Sequence, residues 1–307
     1  MLKVKNDSKI SLSNLSVSYK DSIKLDPLKE GEKISILSDS MLKTMFQNEN
    51  RIKYSAKFIS YYLDISFEKL LKNIHLSKNE LDKDKEYKKG EKCDYVAVID
   101  DTSINIEVNN NGSINVLERN MEYAHRMFSK LIEKGKKENE YTQVIQFNLN
   151  NFSFIGNDKI VDTYVIQNDE YIKLSDKLIF IQIFIPNLIR KWYNLGKSGL
   201  DEKERYLLSL VLRNIDDAKE LGEGIKIMEE YVDEAEFVLS DDLKESYDKE
   251  WALKDLGKQL GKEEGIKEAK KEAVINFHKN KVDKDIIAKS LNININEVEE
   301  ILKEAKR

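Results

Sequence analysis

Between residues 94 and 109 two short runs of β-branched and apolar residues, YVAVI and INIEV, are separated by the turn-forming cluster DDTS. Such a pair folds most economically as a β-hairpin, because the turn residues end one strand and start the next within reach of it. A loop symmetric about Asp101 and Thr102 pairs Val98 with Asn105, Val96 with Glu107 and Asp94 with Asn109. Directly opposed residues share a face. Glu107 and Asn109, two apart on one strand, then share their face with Asp94 at the open end, and Ile104, Ile106 and Val108 are left to pack on helices. A slip by one residue would turn every one of these side chains over.

The rest of the chain supplies the helices. Met41, Leu42, Met45, Phe46, Ile52, Phe58, Ile59 and Leu63 recur at helical spacing, with Ser38 or Asp39 suited to cap the first helix and a break near Asn48. LSKNELDKDKEYKKGEK is a charged linker leading into the hairpin. After the hairpin, Leu117, Met121, Ala124, Phe128 and Leu131 form the stripe of an amphipathic helix that closes at Gly135. In YTQVIQFNLNNF, Ile145, Phe147 and Leu149 alternate with Gln146, Asn148 and Asn150, the period of a strand with one buried face. VDTYVIQN and LIFIQIFIP are further strands. Four or five strands in mixed order with helices predict an α/β fold, a mixed β-sheet flanked by helices, followed by a helical C-terminal region.

Four segments follow from these patterns: an extension over 1–35, an α/β core over 36–195, a helical region over 196–256 and a helical tail over 257–307. Gly257, Gly261 and Gly265 weaken the helix entering the tail. Its last pieces, DIIAKSLN and NEVEEILKEA, have the length and joint of a helix-turn-helix, with Asn294 or Asn296 as the second cap. The acidic NEVEEI opening suits base reading poorly, and packing within the chain or self-association into a homo-oligomer explains the same stripe.

Composition narrows the class of protein. The single cysteine, Cys93, cannot pair within the chain, and clustered Cys/His ligands are missing. The start MLKVKNDSKISLSNLS has no apolar signal core, and no stretch reaches the roughly 20 apolar residues of a membrane span. A cytoplasmic protein without membrane contact is expected. The net charge of −5 argues against coating nucleic acid through bulk positive charge, and leaves room for a local basic groove. His75, His125 and His278 are isolated, with no partner at metal-ligand spacing.

Two carboxylates converging at a strand end can hold a hard cation such as Mg²⁺, which prefers oxygen ligands. The same pattern also suits the solvated face of a half-buried sheet. On the following helix Arg119, Tyr123 and Arg126 fall at i, i+4 and i+7, which suits either phosphate contact or a solvated face. Gln146 and Asn148 sit either near the cation or toward solvent.

The run KCDYVAVIDDTSINIEVNNN, followed by ERNMEYAHRMFSKLIEKG and YTQVIQFNLNNF, resembles the PD-(D/E)XK nuclease family transposases, the group that includes the recombination-promoting nucleases. SDSMLKTMFQNENRIKYSAKFISYYLD is similar to that group's opening helices, and the tail to its helical ending. The resemblance implies a restriction-endonuclease-like core and a DNA endonuclease dependent on Mg²⁺ or Mn²⁺. Asp94 matches the motif aspartate and Glu107 the motif glutamate, both as catalytic metal ligands, with Asn109 as the third catalytic position. Arg119, Tyr123, Arg126 and Gln146, read from their helix spacing and strand face, are the candidate DNA contacts. Asn109 departs from the pattern, because the wider superfamily has Lys there and this group commonly Gln; Asn is shorter than Gln and carries no charge. Lys92 or a helix cation would have to supply that charge. The alternative is a weak or inactive descendant serving as a DNA-binding or protein-interaction module.

Overall fold

The structure is a computed structural model, and it describes residues 16–77, 92–130 and 143–305. In chain order the elements are β1 (Val17–Ser18), α1 (Asp39–Met45), α2 (Ile52–Leu63), α3 (Phe67–Asn73), β2 (Ile74–Leu76), β3 (Tyr95–Ile99) and β4 (Thr102–Asn109). There follow α4 (Ile114–Lys130), β5 (Gln143–Asn150), β6 (Ser153–Phe154), β7 (Val161–Val165), β8 (Leu178–Phe184) and α5 (Ile185–Leu195). The helices α6 (Glu202–Val211), α7 (Ile215–Gly222), α8 (Lys226–Phe237), α9 (Asp241–Lys279), α10 (Lys284–Leu291) and α11 (Ile295–Glu304) complete the chain. Most of the charged linker and residues 131–142, with Leu131 and Gly135, lie outside the described residues.

Six strands form one mixed sheet in the order β2-β3-β4-β5-β8-β7. The expected hairpin, β3 and β4, lies inside it. β4 and β5 are parallel, a pairing that requires a crossover, and α4 lies between them in sequence. Gly112 starts that crossover: a Cβ there would come within 2.5 Å of Val17 Cγ1 and 2.8 Å of Phe152. The period-two alternation then decides which face is apolar. Tyr95, Ala97, Ile104, Ile106, Ile145, Phe147, Leu149, Ile181 and Ile183 share the main core with Met41 and Met45 of α1, Phe46 at its C-terminal end, and Tyr54, Phe58 and Ile59 of α2. Phe58 meets Phe147 edge-on at 5.4 Å between ring centroids. Ser38 caps α1 by accepting from the Met41 amide, and the break near Asn48 becomes a short 3-10 turn over Glu49–Arg51. The three-residue edge strand β2 is an addition to the expected strands, and only helices follow β8 among the described residues.

The chain divides into two compact units, Met1–Asp248 and Lys249–Arg307. The second has its own apolar cluster of Val274, Ile287, Ala288, Val298, Ile301 and Leu302, and Asn294 caps α11 by accepting from the Glu297 amide. Gly257, Gly261 and Gly265 fall inside α9 with open space around each. Each weakens the helix by about 1 kcal/mol relative to alanine. Limited proteolysis is expected to cut within 257–265 before any other described helix, and replacing the three glycines by alanine should slow that cut. Equal rates in the two proteins would show that cleavage does not report helix opening there.

Lys33 is fully buried; its Nζ donates to the Leu210 carbonyl at 3.3 Å and lies 5.4 Å from the centre of the Tyr231 ring. Burial pulls its amine from 10.5 down to about 7. Between those values the unfolded chain holds a proton that the folded protein lacks, so stability rises with pH across that window. Lys33→Met is expected to raise the melting temperature most near pH 7, with a shrinking gain toward pH 10. A gain independent of pH would show that the lysine enters the fold without a charge penalty.

Candidate active site

On β4 the side chains of Asn105, Glu107 and Asn109 point away from the main core, and parallel register sets them beside Gln146, Asn148 and Asn150 of β5. Asn148 in turn lies beside Gln182 of β8. These residues are not solvated: Glu107 is 1% exposed and Asn105, Gln146, Asn148 and Asn150 are fully buried. Two small apolar clusters carry α4 residues and residues from this same face of the sheet. One contains Cys93, Val96, Tyr123, Ala124, Met127, Val144, Leu178 and Phe180, and the other Leu117, Phe152, Phe154 and Phe184. α4 therefore covers this face and leaves a polar patch within it.

The hairpin register differs from the expected one by two residues. Val96 pairs with Asn105 and Tyr95 with Ile106, so the next position outward sets Asp94 opposite Glu107 instead of Asn109. A slip by an even number preserves the face, which is why the expected neighbours still meet. The Asp94 amide donates to Glu107 Oε1 at 3.2 Å, and the Val108 amide donates to Asp94 Oδ2 at 2.9 Å. Asp94 lies just before β3 and is half-buried.

A chain of amides extends from the carboxylates across the sheet. Asn105 Nδ2 donates to Glu107 Oε1 at 3.1 Å and to Gln146 Oε1 at 2.7 Å, and Gln146 Nε2 donates to Asn148 Oδ1 at 3.1 Å. Asn120 descends from α4 and joins two strands: its Nδ2 donates to Asn148 Oδ1 at 2.8 Å and to Asn109 Oδ1 at 3.0 Å. Asn109 Nδ2 donates to Asn150 Oδ1, and Asn150 Nδ2 to Gln182 Oε1, each at 2.9 Å. Two atoms remain without partners in this buried cluster, Asn105 Oδ1 and Asn148 Nδ2.

Electrostatics single out the acidic pair. Burial, then the neighbouring Asp94 charge, pushes the Glu107 carboxyl up to about 8; burial also raises Asp94. Two adjacent carboxylates that resist ionisation are stabilised as anions by a cation. Among the described residues no three His, Cys, Asp or Glu side chains gather as a ligand set. The ligand oxygens that meet here are those of two carboxylates, Asp94 and Glu107, a donor set that fits a hard divalent ion completed by water or phosphate.

Arg119 is exposed on α4, with Nη2 3.4 Å from Asn109 Oδ1. Tyr123 is 7% exposed and sits in the apolar cluster, with the Arg119 guanidinium 5.5 Å from its ring centre. Arg126 is ion-paired with Glu122 at 2.6 Å, and Gln146 belongs to the buried amide chain. Asn105, Asn120, Asn150 and Gln182 were not among the candidates read from sequence. Asn120 escaped because the stripe through Leu117, Met121 and Ala124 leaves it aside, yet Met121 is 47% exposed and Asn120 is 1% exposed. The alternative stripe Leu117, Asn120, Ala124 and Met127 is equally helical and would have revealed it.

No curated protein and no solved structure matches the chain. The sequence model of the PD-(D/E)XK nuclease family transposases matches residues 36–256, more than two thirds of the chain, and spans the sheet, the acidic pair and α4. A mixed six-strand sheet flanked by helices, followed by a helical C-terminal region, is consistent with the fold of that group, and the chain belongs to the PD-(D/E)XK nuclease family transposases.

Proposed function

We propose that this protein is a metal-dependent DNA endonuclease that hydrolyses phosphodiester bonds, with Mg²⁺ or Mn²⁺ held by Asp94 and Glu107. The observation that carries this reading is the adjacency of two carboxylates, both held above their ordinary ionisation range by burial: Asp94 stands just before β3 and its amide donates to Glu107 of β4 at 3.2 Å, in a chain of a nuclease family. Bound there, the ion would lower the pKa of a coordinated water and offset charge on the phosphate. Asp94 is braced by the Val108 amide and Glu107 by Asn105, so the ligand oxygens are oriented before any ion arrives. Asn109, held by Asn120 and Asn150, orients the attacking water or the scissile phosphate. Arg119 meets the DNA backbone at the edge of α4; Tyr123 supports it from below, and Arg126 stands one turn further along. Gln146 acts on the site through Asn105 and Asn148. No described helix is long and apolar enough to cross a membrane.

A second reading, a non-catalytic DNA-binding or protein-interaction module, is favoured by the uncharged Asn109, whose carbonyl and amide are both engaged within the fold. Incubating supercoiled plasmid with the protein, with and without Mg²⁺ or Mn²⁺, separates the two. Nicked or linear product that appears with the ion and disappears with EDTA is expected. Intact plasmid under all conditions would leave the module reading.

A further inference from the structure

The strand that bears Glu107 presents amides and no cation to the site: Asn105 and Asn109 flank the carboxylate, and Asn148 and Asn150 stand beside them. Phosphodiester hydrolysis gathers negative charge on the phosphoryl oxygens, and hydrolytic sites meet it with fixed positive charge or donors. Among the described residues, the cation hydrogen-bonded to this cluster is Arg119, which arrives from the helix instead of the strand. Its Nη2 lies 3.2 Å from Asn120 Oδ1 and 3.4 Å from Asn109 Oδ1, and its Nε lies 3.3 Å from Asn120 Oδ1. Asn120 is 1% exposed and Tyr123 7%, so the guanidinium rests on two fixed side chains, one through hydrogen bonds and one through its ring face. Nη1 has no partner among the described residues. The Arg119 charge bears on both Asp94 and Glu107. Lys43, the other cation bearing on Asp94, is already ion-paired with Asp39.

We propose that Arg119 supplies, from α4, the positive charge that Asn109 does not, and that it acts on the phosphate being cut and not only on the DNA backbone around it. This rests on the endonuclease reading above. A backbone anchor strengthens binding and leaves the saturated rate alone, whereas a charge at the reacting phosphate acts on the rate itself. Asn120 and Tyr123 position the guanidinium. Asn109, beneath it, fixes its distance from the acidic pair.

The test uses the full-length protein, supercoiled plasmid at saturating concentration and Mn²⁺, with DNA affinity measured in Ca²⁺ and Mn²⁺ affinity measured by calorimetry without DNA. Arg119→Ala is expected to lower the saturated cleavage rate by on the order of a hundredfold, with a much smaller loss of DNA affinity. Its Mn²⁺ affinity should be unchanged or higher, because a positive charge has left the neighbourhood of the ligands. Arg119→Lys should retain a larger share of the rate, and Asn109→Lys added to Arg119→Ala should recover part of what was lost. Equal losses of rate and DNA affinity in Arg119→Ala would mark a plain anchor and overturn the inference. Weaker Mn²⁺ binding together with a lower melting temperature would mark a packing role and overturn it as well. In both cases wild-type cleavage leaves the nuclease reading standing; a wild type that cuts nothing overturns that reading and this inference together.

Discussion

Replacing Glu107 by glutamine is expected to abolish divalent-ion binding and reduce plasmid cleavage to background, while making the ion-free protein more stable than the wild type at pH 8. The two effects share one cause. Glu107 is 1% exposed and its carboxyl is pushed up to about 8, first by burial and then by the charge of Asp94. An unfolded glutamate ionises near 4.5. Between pH 4.5 and 8 the unfolded chain has released a proton that the folded protein keeps, so stability falls as pH rises through that window. The loss reaches on the order of a few kcal/mol at its upper end. Glutamine keeps an oxygen acceptor for the Asp94 amide and for Asn105 Nδ2 but carries no charge, so this decline should vanish. Alanine is the poorer probe, because it strands both donors and opens a void. In the wild type Mn²⁺ must displace a proton, and its stabilising effect should therefore be larger at pH 8 than at pH 5. Melts in EDTA and in Mn²⁺ from pH 5 to 9 measure both effects. If Mn²⁺ raises the melting temperature of Glu107→Gln as much as that of the wild type, Glu107 is not a ligand.

The contrast with Asp94 follows from its position. It stands outside β3, is half-buried, and accepts a backbone hydrogen bond that offsets part of its desolvation. Asp94→Asn should likewise remove ion binding, with a smaller gain in stability.

Much of this site is legible in the order of residues because its parts are local. The alternation around DDTS fixes which side chains of β4 share a face, and a register error of two residues leaves that face unchanged. Ser38 and Asn294 cap their helices through contacts three residues away, well within what a short window contains. What escapes is tertiary. Gln146, Asn148 and Asn150 read as a polar strand face, and nothing local distinguishes a face open to water from one closed by a helix. β2 is a three-residue edge whose neighbours lie beyond a charged linker, so its pairing with β3 has no local signature. On α4 the more apolar stripe through Met121 looked like the buried one. The sheet below is polar at that point, and the helix turns Asn120 inward to match it. The site was thus partly hidden by the rule that apolar faces are the ones that pack, which fails where a fold buries an amide network.

Asn120→Leu is therefore expected to be the most damaging single change on α4, although it swaps a polar residue in the interior for a helix-favouring apolar one of similar reach. Asn120 Nδ2 donates to Asn109 Oδ1 and Asn148 Oδ1, and its Oδ1 accepts from Arg119. Leucine ends all of these at once, and the strand oxygens lose donors in a place where water does not replace them. An unmet buried polar group costs about 1–3 kcal/mol, and Asn148 already carries one unpartnered amide nitrogen. A loss on the order of 3 kcal/mol is expected in chemical denaturation, larger than for Met121→Leu on the exposed side of the same helix. Asn120→Asp tests the direction of the bonds: it preserves the acceptor for Arg119 but not the donors, and sets a third carboxylate near Glu107. Its stability should drop as pH rises, and Mn²⁺ should recover part of it only if the new group reaches the ion. If Asn120→Leu instead matches the wild type in stability and in cleavage, the amide network neither holds α4 on the sheet nor orients Asn109 and Arg119.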